Sequence, residues 1–398
     1  MEIRSGAAAV GGFRFAGTSA GLKSDAAAKD LGLIVADRPA AATALFTTNR
    51  VKAAPVVISE ERLRRGRVQA VAVNSGSANC FTGRAGLTLA RQSSAAVARA
   101  LSIAQGLVVP CSTGVIGHLY DLDKYGRGAA TAAAGLGAHR MEDFARAIMT
   151  TDTRPKMMWT EFRAGGAEIR VAGIAKGAGM IAPRMATMLA FIVTDAALDP
   201  AALRKILGKA ADGSFNAITV DGDMSTNDTV MMLASGAAAN RRLNSREYEG
   251  FARASCAVAA ALARELVRDG EGATKLVEVE VNRAASRADA ERIARQIANS
   301  PLVKTAFFGC DPNVGRIVAA AGSCSARLDP ERLALHVGGV KVAARGRLLP
   351  DALPEAAQAM RAREFKVRLD LGLGKAAARV MTCDLSFDYV RINAEYTT

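Results

Sequence analysis

Apolar residues along this chain repeat with two different periods. In residues 277–281 valines alternate with glutamates, a pattern typical of a strand that exposes one face to solvent. Phe251, Val258, Leu262 and Leu266 instead fall on one face of a helix. Both patterns recur from one end of the chain to the other, which predicts a protein of the α/β class.

The predicted elements follow one another in short runs. A helix is expected to begin at Asp199-Pro200, because aspartate caps free N–H groups and proline loses no hydrogen bond in a first turn. The pattern of apolar and polar residues changes after residues 269–275 (DGEGATK). We therefore expect one structural unit to span 1–275 and a second, smaller one to span 276–398. Further strands are predicted at 68–73, 106–111, 167–175, 188–193, 302–308 and 365–369, and further helices at 87–103, 142–149 and 288–298.

The chain is basic, with 52 lysines and arginines against 38 acidic residues and a formal net charge of +14. These basic residues are spread along the sequence, and none of their short clusters is interleaved with the aromatic residues that stack on nucleic-acid bases. Anionic small substrates, or solubility alone, explain the charge at least as well. A nonenzymatic basic binding protein stays an alternative, and its affinity would fall steeply with salt. We expect no nucleic-acid partner.

Cysteine and histidine are few and scattered. None of the six cysteines forms a C-x-x-C pair, and the three histidines lie far apart, so a disulfide framework, a zinc site and a histidine triad are all disfavoured. No apolar run reaches the ~18 residues that cross a bilayer, and no secretory signal is recognised. We therefore expect a cytoplasmic protein without a membrane partner or a bound metal.

The most informative segment is 176–189, with the sequence KGAGMIAPRMATML. A glycine-rich turn leads through Pro183 into an apolar strand, and Thr187, preceded by the small Ala186, carries the hydroxyl at this junction. Such a junction can hold a peptide bond strained and open to attack by the hydroxyl that follows it. The alternative is a glycine loop that enters a core strand, in which Thr187 is an ordinary β-branched strand residue.

This segment and nine other blocks resemble the ornithine acetyltransferase family, the glutamate N-acetyltransferases of the cyclic arginine pathway. The resemblance covers essentially the whole chain, and ordered blocks are far more specific than one short motif. The other blocks are GFRFAGTSAGLK (12–23), FTTNRVKAAPV (46–56), VNSGSANCFTG (73–83), CSTGVIG (111–117), IMTTDTRPK (148–156), SFNAITVDGDMSTNDT (214–229), DGEGATK (269–275), NSPLVKTAFFGCDPN (299–313) and DYVRINAEYTT (388–398).

The resemblance implies that the precursor cleaves itself between Ala186 and Thr187. The products would be an alpha half of residues 1–186 and a beta half of residues 187–398, assembled as two copies of each. The new α-amine of Thr187, whose reference pKa is about 7.7–8.0, could take the proton of its own hydroxyl. The implied fold is an αββα sandwich core with a smaller C-terminal α/β domain.

The resemblance also assigns the site. Thr113 and Gly114 would form the oxyanion hole that stabilises a tetrahedral intermediate. Lys176 could bind a substrate carboxylate and Glu271 an amino group, whereas without the resemblance both would read as solvated loop charges. The residues that match the family's substrate-binding positions are Thr150, Lys176, Thr187, Glu271, Asn393 and Thr398.

The implied reaction is a two-step exchange without a metal or organic cofactor. Thr187 would take the acetyl group of N-acetyl-L-ornithine, and the amine of L-glutamate would then remove it from the threonine ester. The sequence leaves open whether acetyl-CoA is a second donor. An alternative with the same nucleophile is a self-cleaving amidohydrolase or aminopeptidase, in which water is the acceptor.

Five positions depart from the family pattern. Ala178 replaces a usual serine, Arg184 a usual asparagine and Ser77 a common asparagine, while Val314 and Met381 each replace a tryptophan. Arg184 lies three residues before the proposed nucleophile. We therefore expect this departure to change the rate of cleavage or the preference for substrate charge.

Overall fold

The structure, a computed structural model, describes residues 2–182 and 188–395. Two sheets covered by helices make up most of this part of the chain. The first sheet contains β1 (Arg4–Ser5), β2 (Phe13–Thr18), β3 (Leu31–Phe46), β4 (Arg67–Ser77), β5 (Val108–Val115), β6 (Lys156–Ala164), β7 (Ala167–Lys176), β8 (Leu189–Thr194) and β9 (Thr229–Ala234). The second contains β10 (Leu276–Ala284), β11 (Ala334–Val337), β12 (Val340–Ala344), β13 (Arg347–Leu348), β14 (Glu364–Asp370) and β15 (Ala376–Cys383).

The helices pack against the faces of the two sheets. The α-helices are α1 (Ala54–Leu63), α2 (Gly83–Leu101), α3 (Leu122–Ala134), α4 (Met141–Ala147), α5 (Pro200–Asp212), α6 (Ser245–Arg268), α7 (Arg287–Asn299), α8 (Pro301–Phe308), α9 (Val314–Gly322), α10 (Leu353–Ala359) and α11 (Phe387–Glu395). Short 3₁₀ turns occur at Gln105–Leu107, Phe215–Ala217, Pro330–Arg332 and Pro350–Ala352. Within the described ranges, none of the helices has the length and apolar character that crossing a membrane requires.

The long strand β3 joins the two halves of the first sheet. The strand order is β1-β6-β7-β8-β9-β3-β4-β5, with β2 also paired to β3. Residues 31–36 of β3 pair with β2, residues 41–46 pair with β9, and the register to β4 shifts between Val35 and Ala40. This irregularity lets the sheet fold back on itself, as bulges commonly do.

The two halves of this sheet face each other across a shared core. Alternate residues of β8, such as Phe191 and Val193, contact the same cluster as Val71 and Val73 of β4. The residues between them face outwards, where α5 and α6 cover β6–β9 and α2 and α3 cover β3 and β4. Because successive side chains of a strand point to opposite faces, each strand contributes residues both to the shared core and to the contact with the helices. The predicted αββα sandwich is confirmed.

The second sheet and its helices form a separate hydrophobic core. Its strand order is β13-β12-β11-β14-β10-β15, with β10 parallel to β14. Val277, Val279 and Val281 of β10 are fully buried against α7, as the alternating pattern predicts. Leu276 and Cys383 belong instead to the core of the first sheet, so the second sheet packs directly against the first unit.

Most predicted elements are confirmed, with ends that differ by up to several residues, but the strand predicted at 302–308 is wrong. This segment is the helix α8. The Ser300 hydroxyl accepts a hydrogen bond from the N–H of Val303 at 3.4 Å, and Pro301 occupies the first turn. Val303 and Phe307, four residues apart, face the core together. The serine-proline start and the four-residue spacing decide for a helix over the apolar run.

Candidate active site

A cavity of about 350 Å³ lies where β5 and β7 end, beside α11. Its lining includes six of the residues that the sequence singled out: Thr113, Gly114, Thr150, Lys176, Glu271 and Asn393. These residues are up to 280 positions apart in the chain, from 113 to 393, and the fold brings them together. Ala186, Thr187, Arg184 and Thr398 lie outside the described residues.

Lys176, the last residue of β7, is buried with its ammonium group between two hydroxyls. Its Nζ donates to Thr113 Oγ1 at 3.0 Å and to Thr150 Oγ1 at 2.7 Å. Burial lowers the pKa of Lys176, although the nearby Asp152 carboxylate works in the opposite direction. Because Thr113 accepts from Lys176, its own O–H remains available to donate to another group.

Gly114 follows at the end of β5, where only a glycine fits. Its φ is +123°, and a Cβ added there would lie 2.4 Å from the carbonyl carbon of Gly76. Gly114 is the register partner of Gly76 on β4. The glycine therefore allows β4 and β5 to stay close at the point where Thr113 enters the cavity.

Glu271 is one of three acidic residues that line the cavity, with Asp221 and Asp223. Its Oε2 accepts from Asn393 Nδ2 on α11 at 2.9 Å, and its N–H donates to the carbonyl of Ala178 at 2.8 Å. A Cβ on Gly179 would lie 2.4 Å from the same carboxylate oxygen. The glycine-rich turn of the 176–189 segment thus makes room for the Glu271 side chain.

Two aspartates that the sequence reading did not select hold the backbone on either side of 183–187. Asp221 accepts from the N–H groups of Met180 at 2.6 Å and Ile181 at 2.9 Å, and burial raises its pKa to about 6. Asp228 accepts from the N–H of Met188 at 3.0 Å. Both aspartates belong to the 214–229 block, in which the sequence gives no local signal that distinguishes them from the other acidic residues of a loop.

Asp228 is a buried acid whose two carboxyl oxygens differ in their hydrogen bonding. Oδ1 binds Met188, whereas Oδ2 has no hydrogen-bond partner within the described part of the chain. Burial raises the pKa of Asp228 well above its usual range. A carboxyl group in this environment favours the neutral, protonated form, which can donate as well as accept a hydrogen bond.

The family model of ArgJ matches residues 14–398. The chain belongs to the ArgJ family. The resemblance seen in the sequence is thereby confirmed, and the chain is an acetyltransferase of this family.

Individual members are similar over their full length. The arginine biosynthesis bifunctional protein ArgJ of Geobacter sulfurreducens is 49% identical over 393 residues, which cover 98% of this chain and 100% of that protein. The protein of the same name from Symbiobacterium thermophilum is 46% identical over 401 residues, or 100% of this chain and 99% of that protein.

Two solved ArgJ-type structures each match about half of this chain. The Bacillus halodurans arginine biosynthesis bifunctional protein ArgJ is 39% identical, with a TM-score of 0.50, and covers 52% of this chain and 98% of its own. The ornithine acetyltransferase of Mycobacterium tuberculosis, solved in complex with ornithine, is 38% identical, with a TM-score of 0.41, and covers 46% of this chain and 98% of its own.

The departures from the ArgJ pattern fall in different places. Ala178 is buried in the wall of the cavity, where a serine would add a hydroxyl. Ser77 uses its hydroxyl to bind the carbonyl of His118 at 2.8 Å. Val314 packs against the core of the second sheet and Met381 against that of the first, and neither lines the cavity.

Metal ions are bound in proteins by sets of ligand side chains. Among residues 2–182 and 188–395, no three or more histidine, cysteine, aspartate or glutamate side chains are grouped so that they could hold a metal ion. The charged residues that line the cavity are Lys176 and the acids Asp221, Asp223 and Glu271, so it offers a cation for a carboxylate and acidic groups for an amine.

Proposed function

We propose that this chain transfers an acetyl group from N-acetyl-L-ornithine to L-glutamate through an acetyl ester of Thr187. The observation that carries the proposal is the convergence of Thr113, Lys176 and Glu271 on one cavity. The backbone at both ends of 183–187 is hydrogen-bonded beside it, at Ile181 and Met188. This arrangement supports Thr187 as the nucleophile of the same site.

In the first step, the Thr187 hydroxyl oxygen attacks the acetyl carbonyl and its proton passes to the free α-amine of the same residue. The Thr113 hydroxyl, which already accepts from Lys176, donates to the developing oxyanion. Collapse breaks the carbon–nitrogen bond, and the departing ornithine amine takes the proton. The products are ornithine and acetyl-Thr187.

In the second step, the amine of glutamate attacks the threonine ester. The carbon–oxygen bond to Thr187 breaks, the hydroxyl regains a proton from the attacking amine, and N-acetylglutamate leaves. We assign the substrate carboxylate to the ammonium of Lys176. We assign a substrate amino group to Glu271, which Asn393 holds in place at 2.9 Å.

The names of the relatives support the biological setting. G. sulfurreducens and S. thermophilum have proteins called arginine biosynthesis bifunctional protein, which supports a role for this chain in the same biosynthesis. The word bifunctional supports a second activity, for which we propose acetylation of glutamate from acetyl-CoA. No cofactor enters either reaction as proposed.

We further propose cleavage into halves 1–186 and 187–398, assembled as a heterotetramer with two copies of each. The core would span 1–275 and the smaller domain 276–398. The beta half would be 212/398 = 53% of this chain. The B. halodurans chain supports this division, because 98% of its length matches only 52% of this one.

Mass spectrometry of the purified protein tests the nucleophile. We expect one fragment that ends at Ala186 and another that begins at Thr187. Thr187→Ala should abolish both cleavage and acetyl transfer because it removes the attacking oxygen, whereas Thr187→Ser keeps a hydroxyl and should retain both. An uncut chain that transfers acetyl groups at full rate would refute the assignment.

The acceptor separates this proposal from the hydrolase alternative. Steady-state kinetics should show the parallel-line pattern of a two-step exchange, with N-acetylglutamate as a product. Release of free acetate at the same rate with or without glutamate would favour water as the acceptor.

A further inference from the structure

A cluster of three buried ions lies behind the cavity. Lys156 Nζ is 2.6 Å from Asp152 Oδ1 and 2.6 Å from Asp269 Oδ2. The side chains of Lys156 and Asp152 have no exposed surface, and that of Asp269 is 2% exposed. Charges this deeply buried persist in a fold only when each has a close partner.

Asp152 holds two backbone groups beside substrate-binding residues. Its Oδ1 accepts from the N–H of Gly177 at 2.7 Å, directly after Lys176. Its Oδ2 accepts from the N–H of Thr150 at 3.1 Å. One carboxylate therefore places both the lysine and a hydroxyl that the lysine binds.

Asp269 connects the cluster to the segment that carries Glu271. Its Oδ2 accepts from the N–H of Thr153 at 3.1 Å, and its Oδ1 accepts from the Thr153 hydroxyl. Asp269 lies two residues before Glu271, whose carboxylate lines the cavity. Lys156 is the cation shared by this acid and Asp152.

We propose that Lys156 is a positioning residue for acetyl transfer: through Asp152 and Asp269 it joins the segments that carry Thr150, Lys176 and Glu271. Lys156 contacts no reacting atom in this assignment. The inference rests on the proposed function, because it concerns the same cavity.

Lys156 also acts on the charge of Lys176 across Asp152. Two cations, Lys156 and Lys23, lower the pKa of Lys176 in addition to burial, while Asp152 and Glu271 raise it. A further acid near Lys176 is Asp228, whose pKa is raised by burial and lowered to a smaller extent by the charge of Lys176. Loss of Lys156 therefore raises the pKa of Lys176, because one of the two like charges is gone.

The sign of the pH effect follows from the role of Lys176. The protonated ammonium binds the substrate carboxylate, so binding weakens as pH rises through the pKa of Lys176. When Lys156 is removed, that pKa rises and the weakening moves to higher pH. A residue with a purely structural role would lower the amount of folded protein without moving this limb of the profile.

The test measures cleavage by mass spectrometry and then kcat and KM of the cleaved enzyme as functions of pH, for wild type and Lys156→Met. Methionine retains the apolar stem without the charge. We expect KM for N-acetylornithine to rise by a factor of about 10 to 100, with a smaller change in kcat, since small misplacements of binding groups can cost on the order of 10²-fold. The basic limb of the KM profile should move to higher pH.

Lys304→Met is the matched control. Lys304 is also a buried lysine, at 3% exposure, but its Nζ donates to Thr382 Oγ1 at 3.0 Å in the second unit and does not line the cavity. We expect this variant to keep the wild-type KM and pH profile. The double variant Lys156→Met/Asp269→Asn removes one cation and one anion together, and serves if the single variant does not fold.

Each result decides a different question. Wild-type enzyme that transfers no acetyl group would refute the proposed function, independently of Lys156. An active wild type combined with an unchanged KM and pH profile in a folded Lys156 variant would overturn the inference. It would also be overturned if both Lys156 variants failed to fold while Lys304→Met folded, because Lys156 would then act in stability alone. A folded Lys156 variant that no longer cleaves would support it, since the same cavity serves both reactions.

Discussion

Each candidate side chain in the cavity is paired with a second group that orients it. Lys176 is held by the hydroxyls of Thr113 and Thr150, and Glu271 by the amide of Asn393. Such paired groups lose little freedom when substrate binds, because they are already ordered. Sequence motifs identified these residues individually, but not the pairs that they form.

Substitution of Thr113 tests this arrangement. Thr113→Ala should slow acetyl transfer by a factor on the order of 10², because one donor to the oxyanion is lost. Thr113→Ser retains the hydroxyl and should keep most of the rate. Stopped-flow or steady-state assays on fully cleaved enzyme measure both, and an unchanged rate in the alanine variant would remove Thr113 from the oxyanion role.

At the scale of elements, local signals succeeded where a cap or a strict period was present. Asp199 caps α5 as predicted, since its side chain accepts from the N–H of Ala202 at 2.8 Å. The three valines of β10 are buried as predicted, but the opposite face is less exposed than the pattern indicates, since Glu278 is 7% exposed and paired with Lys366 at 2.6 Å. The segment of α8 was wrongly predicted to be a strand, because a short apolar run is equally compatible with a strand and with a buried helix.

The cap of α5 can be tested directly. Asp199→Ala should lower the free energy of unfolding by about 1 kcal/mol, because one N–H in the first turn loses its acceptor. Asp199→Asn keeps an acceptor oxygen and should cost much less. Urea denaturation of the two variants beside wild type gives the comparison, and equal losses would show that the charge rather than the cap matters.

At the scale of the whole molecule, the proposed halves are interleaved in one sheet. β8 and β9 come after residue 187, yet they lie between β7 and β3, which come before it. β8 pairs with β7 over six positions and β9 with β3 over six more. Separation of the halves would therefore break the sheet and open the core between its layers.

This topology predicts the behaviour of the cleaved protein. Fragments 1–186 and 187–398 should elute together in size-exclusion chromatography under native conditions, at any salt concentration that keeps the protein folded. They should separate only in denaturant, because hydrogen bonds and apolar burial rather than surface charge join them. Dissociation of the halves by salt alone would contradict the interleaved sheet.

The sequence by itself determined the family, the strand and helix periods, the first turn of α5 and the identity of six cavity residues. These features depend on neighbours in the chain or on motif blocks. Only the tertiary structure decided that β3 joins two layers, that Lys176 is buried between hydroxyls, and that Lys156 unites Asp152 with Asp269. The physical reason is that burial and ion pairing depend on what the fold brings together: Lys156 and Asp269 are 113 positions apart, and no local pattern encodes their contact.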